Sequence, residues 1–244
     1  MLYGVQRPTT QDHSPGGEPA TARPVVVVVG AGPGLGLAAA RAFAAVGHDV
    51  ALVGRRESTL ITLAATIEAD GHGVDVDYAA VDVADADALA AAVARFIEHT
   101  GRLDVLHHNV SLYRAGRLGE VRPAELLADL AVGTASLLAA VDAARPALRA
   151  GGGSVLLTGS GVADDPSPAA LTLGVQKAAV RALLQGMAPD LAAEGVHAAT
   201  LTVRGVMAAG TAFDPDLVAA RLLAISEQRH GPREGWTVCH DFTG

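Results

Sequence analysis

The chain has 244 residues and a formal net charge of −8 at pH 7. This length suits one α/β domain with a sizeable core. The acidic balance argues against a nucleic-acid partner, because binding a phosphate backbone needs clustered cations. With Cys239 as the one cysteine, the chain forms no internal disulfide, which is typical of a reducing compartment. No apolar run approaches the roughly 20 residues that cross a bilayer, so we expect a cytoplasmic protein without a membrane partner.

Short apolar runs alternate with helical patterns along the chain. The predicted strands are Val25–Val29, His48–Val53, Val74–Val81, Leu103–His107, Ser154–Thr158, Val196–Val203 and Trp236–Cys239. The predicted helices are Leu35–Val46, Thr59–Ala69, Ala86–His99, Pro123–Arg149 with a break near Gly133, Leu171–Glu194 and Pro215–Gln228. This alternation implies right-handed crossovers and a parallel sheet with helices on both faces. We therefore predict a doubly wound, Rossmann-type α/β fold in one domain, residues 24–244, after a flexible tail, residues 1–23.

A glycine-rich turn follows the first predicted strand and opens the first helix. It runs Gly30-Ala31-Gly32-Pro33-Gly34-Leu35-Gly36. Glycines let the backbone approach a pyrophosphate closely, and a helix N-terminus adds unpaired N–H donors and a favourable dipole. The turn thus predicts a dinucleotide site that involves Gly30, Gly32, Gly34, Leu35 and Gly36.

The residues after the second and third predicted strands bear on whether the site prefers NADP(H) or NAD(H). Sites that prefer NAD commonly place an acidic residue after the second strand, whereas here Arg55 and Arg56 stand there. Two guanidinium groups can clamp a 2′-phosphate, which favours NADP(H) over NAD(H), although a solvated pair of arginines has the same pattern. Asp82 and Val83 follow the third strand and are predicted to contact the adenine, with an N-cap role for Asp82 as the alternative.

The order of these features resembles the short-chain dehydrogenase/reductase family from about Val25 to Asp241. Gly30, Gly34 and Gly36 match the spacing of the family's glycine turn. Asn109 is what remains of the family motif after the fourth strand. Ser160 matches the catalytic serine, and Lys177, the only lysine of the chain, matches the catalytic lysine. The resemblance implies that Asn109 and Lys177 belong to the cofactor pocket and that Ser160 holds the substrate oxygen.

Two positions depart from the family pattern. The catalytic tyrosine is expected four residues before Lys177, where Leu173 stands, and the helical catalytic asparagine aligns with Gly133. In the family the lysine lowers the pKa of the tyrosine and binds the nicotinamide ribose, and the tyrosine transfers the proton. Leu173 cannot transfer a proton, so another donor is required if redox chemistry is kept.

The loop after the fourth strand holds the candidates for that donor, because it borders the active site in this fold. They are His108, Ser111 and Tyr113, whereas His107 is expected to point into the sheet. A histidine titrates near neutrality and suits a general acid. We include His108 and Tyr113 with Ser160 and Lys177 as predicted catalytic residues.

The leading hypothesis is an NADP(H)-dependent oxidoreductase that acts on a carbonyl or imine. The alternatives are a redox-inactive enzyme of the same fold, such as an isomerase, cyclase or dehydratase, and a dinucleotide-binding protein without chemistry. The segment after the sixth strand, residues 204–214, is small and apolar and favours an apolar small-molecule substrate. No histidine spacing indicates a metal site. The resemblance also implies a homo-oligomer, a dimer or tetramer.

Overall fold

The computed structural model describes residues 23–244. Except for Arg23, the predicted N-terminal tail lies outside these residues. Parallel pairings join a seven-stranded sheet in the order β3-β2-β1-β4-β5-β6-β7. The strands are β1 Val25–Val29, β2 Asp49–Gly54, β3 Val76–Ala80, β4 Val105–His108, β5 Ser154–Ser160, β6 His197–Val203 and β7 Cys239–Phe242.

Helices connect the strands and cover both faces of the sheet. They are α1 Leu35–Ala45, α2 Glu57–Ala69, α3 Ala86–Thr100, α4 Pro123–Leu130, α5 Ser136–Gly151, α6 Leu171–Ala193 and α7 Pro215–Ser226. One buried apolar cluster lies under α1, α2 and α7, and another under α3, α5 and α6. This arrangement confirms the predicted doubly wound Rossmann-type fold in a single domain.

The first strand shows why the sheet is buried on both faces. All five valines of β1 are at most 2% exposed. β-branched side chains favour extended backbone and pack on both sides of a central parallel strand. The strand order reverses between β1 and β4, and in such folds ligands bind in the crevice beyond the carboxyl ends at that point.

The long helix predicted after β4 is interrupted as expected. A π-helical turn, Ala131–Ala135, separates α4 from α5 at Gly133. By length and composition alone, the stretch Pro123–Gly151 could cross a membrane, contrary to the expectation from the apolar runs. In the fold, α5 buries Leu137, Val141 and Leu148 against the sheet layer, and 33% of the most apolar 18 residues of the stretch is buried.

Two strand boundaries differ from the prediction. β4 begins and ends later than expected and includes His108, so this residue belongs to the sheet rather than to the loop. The last strand is Cys239–Phe242 instead of Trp236–Cys239. The pairing with β6 begins at Cys239, and Val238 before it contributes only its carbonyl, which accepts from the Thr200 N–H at 2.7 Å.

A buried carboxylate fixes the start of the central strand pair. Asp104 accepts a hydrogen bond from the main-chain N–H of Val25 at 2.8 Å and pairs with the Arg102 guanidinium at 2.6 and 2.9 Å. Removing a partnered buried carboxylate leaves its donors unsatisfied. We expect Asp104→Ala to lower the free energy of unfolding by about 3 kcal/mol, as measured by urea denaturation.

The control for that prediction is Asp77→Ala. Asp77 makes a half-exposed ion pair with Arg95 at 3.6 Å, and such pairs contribute at most about 1 kcal/mol. Equal losses in the two variants would contradict the assignment of Asp104 as a buried anchor.

Candidate functional site

A cleft opens at the carboxyl ends of β1, β2 and β4. Its lining residues come from the glycine turn, the end of β2, the start of α2, the loops after β3 and β4, and the π-helical turn: Gly30, Ala31, Gly32, Pro33, Gly54, Arg55, Arg56, Thr59, Val83, Asn109, Val110, Ser111, Leu112 and Val132. The cleft therefore lies at the reversal of strand order, where the fold places ligands.

Main-chain contacts shape the glycine turn. The N–H groups of Gly30 and Ala31 both donate to the Val53 carbonyl, at 2.9 and 2.8 Å. Gly30 has a φ of 88°, and a Cβ there would lie 2.8 Å from the Asn109 carbonyl oxygen. Asn109 in turn donates from Nδ2 to the Gly30 carbonyl at 3.2 Å. The turn is thus locked onto the end of β4.

The helix that follows the turn presents unpaired donors to the cleft. α1 has Gly34 at its N-cap, with no side-chain cap and no acidic residue in its first turn. A Cβ built on Gly32 or Gly34 would meet no atom within 4 Å. The helix N-terminus is therefore open for an anion to approach closely, as a dinucleotide pyrophosphate requires.

These two glycines allow binding and folding to be separated. We expect Gly32→Ala to leave the thermal unfolding midpoint within about 2 °C of the wild type, because the new methyl group meets open space. It should weaken dinucleotide binding at least about tenfold, because the methyl group would stand where a pyrophosphate approaches the backbone. Calorimetric titration measures the affinity.

Gly186→Ala, also open to solvent but on the exposed side of α6, is the control for Gly32→Ala. If Gly32→Ala bound NADPH as tightly as this control, the glycine turn would not be the pyrophosphate site.

Two predicted cofactor residues lie elsewhere than expected. The side chain of Leu35 is 5% exposed and packs in the core, so only its main-chain N–H remains available to a ligand. Asp82 is exposed and accepts a hydrogen bond from the Ala84 N–H at 3.1 Å, and it does not line the cleft. The N-cap of α3 is Asp85, which accepts from the Ala88 N–H, so the alternative role of Asp82 was wrong. Val83 does line the cleft.

The sequence matches a known protein family over most of its length. The profile of a family described as short chain dehydrogenase matches residues 24–214. The chain belongs to this family. "Oxidoreductase asL5" of Sarocladium schorii is 31% identical over 174 residues, which cover 70% of this chain and 67% of that protein. Trans-4-hydroxycyclohexanecarboxylate dehydrogenase of Sinomonas cyclohexanicum is 31% identical over 139 residues, 55% of this chain and 54% of that protein. The match thus spans about half to two thirds of these relatives' lengths.

Solved structures of the same fold include cofactor complexes. The alcohol dehydrogenase from Thermococcus sibiricus, complexed with 5-hydroxy-NADP, has a TM-score of 0.75 and 25% identity, with 89% of this chain and 95% of that chain covered. L-sorbose reductase from Gluconobacter frateurii, complexed with NADPH and L-sorbose, has a TM-score of 0.81 and 20% identity, with 91% and 95% covered. The family relationship makes this chain a short-chain-type oxidoreductase.

Ser160 and Lys177 stand at the positions that match the family's catalytic serine and lysine. Ser160 ends β5 and is partly exposed, and its hydroxyl accepts a 3.4 Å hydrogen bond from the Val162 N–H. Lys177 is 5% exposed, and its ammonium donates to the carbonyls of Thr158 at 2.9 Å and Val110 at 3.2 Å. Burial lowers the pKa of Lys177 to about 8. The lysine therefore joins the ends of β4 and β5 through main-chain contacts.

The predicted proton donor His108 is enclosed. Its side chain is 0% exposed, and Nε2 lies 2.8 Å from the Ser136 hydroxyl. Burial, and secondly the nearby Lys177 charge, lower the pKa of His108 to about 3. A ring that is neutral and sealed from the cleft cannot serve as a general acid, so this assignment does not fit the structure. His107 points into the sheet as expected and contacts the Thr158 hydroxyl at 2.9 Å.

The loop after β4 carries the other candidates. Ser111 lines the cleft, whereas Tyr113 is 68% exposed and is not among the lining residues. Arg114 anchors this loop through a two-pronged ion pair with buried Asp129 at 2.7 and 2.9 Å. The cleft residues that the sequence did not indicate are Gly54, Thr59, Val110, Leu112 and Val132; they have no chemical signature and were found only through the fold.

Proposed function

We propose that the protein is an NADP(H)-dependent short-chain oxidoreductase that reduces a carbonyl or imine, or catalyses the reverse oxidation. One observation carries the choice of dinucleotide. Arg55 and Arg56 line the cleft at the end of β2, both are exposed, and neither has a carboxylate partner in residues 23–244. No Asp or Glu lines this cleft, so nothing acidic is present there to accept the ribose hydroxyls that distinguish NAD.

The described residues fit this cofactor. The open backbone at Gly32 and Gly34 and the uncapped start of α1 suit a pyrophosphate, and the two guanidinium groups suit a 2′-phosphate. When bound, a nicotinamide supplies or accepts a hydride. The chain contributes Asn109, which holds the turn in place, and Ser160, whose hydroxyl can donate a hydrogen bond to a substrate oxygen and polarise it.

Proton transfer is assigned in this proposal to Tyr113. Of the three candidates that the sequence placed after β4, His108 is buried, Ser111 lines the cleft but has an aliphatic hydroxyl, which is a poor acid, and Tyr113 has an exposed phenol. It lies on the loop that forms one wall of the cleft, and a phenol is the group that the family uses. Tyr113→Phe should abolish most turnover and leave NADPH affinity unchanged. Unchanged turnover would instead mean that the proton comes from solvent.

A second candidate function is dinucleotide binding without redox chemistry. Leu173 occupies the tyrosine position, and the Lys177 ammonium already donates to two main-chain carbonyls. The tyrosine that transfers the proton in the family is therefore missing, and the lysine that lowers the pKa of that tyrosine makes other contacts. This candidate predicts NADPH binding without NADPH oxidation on any carbonyl.

The experiment that tests the proposed function is a calorimetric titration with NADPH and NADH, followed by a carbonyl screen at 340 nm. Tighter binding of NADPH than of NADH, with substrate-dependent NADPH oxidation, is the expected result. Binding without oxidation favours the second candidate. Failure to bind either dinucleotide overturns both and leaves a redox-inactive enzyme of the same fold, such as an isomerase, cyclase or dehydratase.

The same proposal includes the substrate, the assembly and the compartment. The segment after β6 exposes Val206 and Met207, which suits an apolar small molecule. Leu127, Leu138 and Val175 are exposed on α4, α5 and α6, and we assign a homo-oligomer contact to this face, testable by light scattering. A cytoplasmic location agrees with the exposed free thiol of Cys239.

A further inference from the structure

One buried amide side chain contacts the cleft wall from behind. Gln176 on α6 is 0% exposed. Its Oε1 accepts a hydrogen bond from the Leu112 N–H at 3.0 Å, and its Nε2 donates to the Leu112 carbonyl at 2.9 Å. A single side chain therefore satisfies both main-chain groups of a loop residue that lies 64 positions away in sequence.

The space for this side chain exists because residue 133 is glycine. A Cβ at Gly133 would lie 3.0 Å from both Cδ and Cγ of Gln176, and closer still to Oε1. Although Oε1 ends a flexible side chain, it could move only by breaking the bond to Leu112. Thr134 of the same π-helical turn also donates from its hydroxyl to the main-chain carbonyl of Gln176 at 3.4 Å. The position of the Gln176 side chain thus depends on residue 133 having no side chain.

The residue that Gln176 holds is part of the cleft. Leu112 lines it together with Ser111 and with Val132 of the π-helical turn. The next residue on α6, Lys177, holds the carbonyl of Val110. Two consecutive α6 side chains therefore fix the path of residues 110–112.

We propose that Gly133 and Gln176 form a coupled pair in which Gln176 is a positioning residue for the wall of the cleft that residues 110–112 form. Residue 133 has no side chain, and the amide of Gln176 occupies the space that one would fill. The effect on substrate rests on the proposed function, whereas the coupling of the two residues does not. An asparagine at 133 and a glutamine at 176 cannot share this space, so each substitution changes the consequence of the other.

The test uses four full-length variants: Gln176→Ala, Gln176→Glu, Gly133→Asn, and the exchange Gly133→Asn with Gln176→Ala. Gln185→Ala, an exposed glutamine on α6, is the matched control. The readouts are hydrogen exchange of the Leu112 amide, NADPH affinity, and kcat and KM for the reference carbonyl 1-phenylpropane-1,2-dione. Gln176→Glu keeps the acceptor for the Leu112 N–H and replaces the donor to its carbonyl, so it tests the contact with little change of volume.

We expect faster Leu112 exchange in Gln176→Ala and in Gly133→Asn, and at least partial recovery in the exchange variant. KM should rise about tenfold in Gln176→Ala, because small displacements of a cleft wall are costly, with NADPH affinity and kcat changed much less. Gln176→Glu should show an intermediate KM. Additive effects of the two substitutions on Leu112 exchange overturn the coupling. An unchanged KM with faster Leu112 exchange overturns the positioning role. Absence of NADPH binding by the wild type overturns the proposed function. In that case the exchange data still decide whether the two residues are coupled.

Discussion

Lys177→Met is expected to remove a pH dependence of stability that the wild type shows on the alkaline side. The Lys177 ammonium is fully buried, and burial lowers its pKa from 10.5 to about 8. In the unfolded chain the same group keeps its ordinary pKa. Between these two values the unfolded state binds more protons than the folded state, so the free energy of unfolding rises with pH.

The size of this effect follows from the difference in pKa. The cost of burying the charged form is fully present below about pH 8 and is relieved as pH rises towards 10.5. We expect the wild type to gain about 2 to 3 kcal/mol relative to Lys177→Met between pH 7 and pH 10. Other titrating groups act in both proteins and largely cancel in the difference.

Urea denaturation of both proteins across this pH range measures the difference, with Gln185→Met on the exposed side of α6 as the control. The free energy of unfolding of the control should change with pH in the same way as that of the wild type. Parallel curves for Lys177→Met as well would show that the ammonium keeps its ordinary pKa and is therefore solvated. The neutral amine still donates to the Thr158 and Val110 carbonyls, so these contacts persist at high pH.

Local patterns in the sequence were sufficient for the fold and for the glycine turn that lines the cleft. The valines of β1 and the glycines after them form the strand and the turn that the sequence indicated. Gly133 marked the interruption of the long helix, which the structure shows as a π-helical turn. In each case neighbouring residues determine the conformation, and this is the information that periodicity and glycine placement carry.

The predicted proton donor was harder to place from the sequence, because its surroundings depend on where β4 ends, to within one residue. Placing the end of β4 at His107 left His108 in a loop, where a histidine would face solvent. In the structure His108 is the last strand residue, and alternation directs it into the layer under α5, beside Ser136. His107 points as predicted, so only the end of β4 was misplaced, by one residue. The predicted general acid thereby became a buried neutral ring.

The Gln176 contact shows a second limit of the sequence. Nothing near Gln176 indicates that it reaches Leu112, because the two residues meet only when α6 packs beside the loop after β4. The one signal was indirect: Gly133 lacks a side chain at a position where the family carries one. Missing atoms in one element can indicate that another element fills the space, but the partner is identified only by the packing.

Replacing the arginines after β2 should convert the dinucleotide preference. Arg55 and Arg56 have no ion-pair partners within residues 23–244, and no Asp or Glu lines the cleft with them. Charge-assisted hydrogen bonds to a 2′-phosphate contribute roughly 1.5 to 3 kcal/mol each. We therefore expect Arg55→Ala or Arg56→Ala to weaken NADPH binding about 10- to 100-fold, and NADH binding less than about threefold, because NADH lacks the phosphate.

Calorimetric titration of both dinucleotides measures this change, with Arg149→Ala as the control. Arg149 is an exposed arginine near the end of α5, outside the cleft, so its loss changes the net charge equally without touching the 2′-phosphate. Raising the salt concentration should weaken NADPH binding to the wild type more than to Arg55→Ala, because screening acts on the charge pair that the variant lacks. Arg55→Asp should go further and favour NADH, since a carboxylate accepts the ribose hydroxyls and repels a phosphate. Equal losses for NADPH and NADH in Arg55→Ala would show that the arginines hold the pyrophosphate or the wall of the cleft, and the preference for NADP(H) would then have no structural basis at this position.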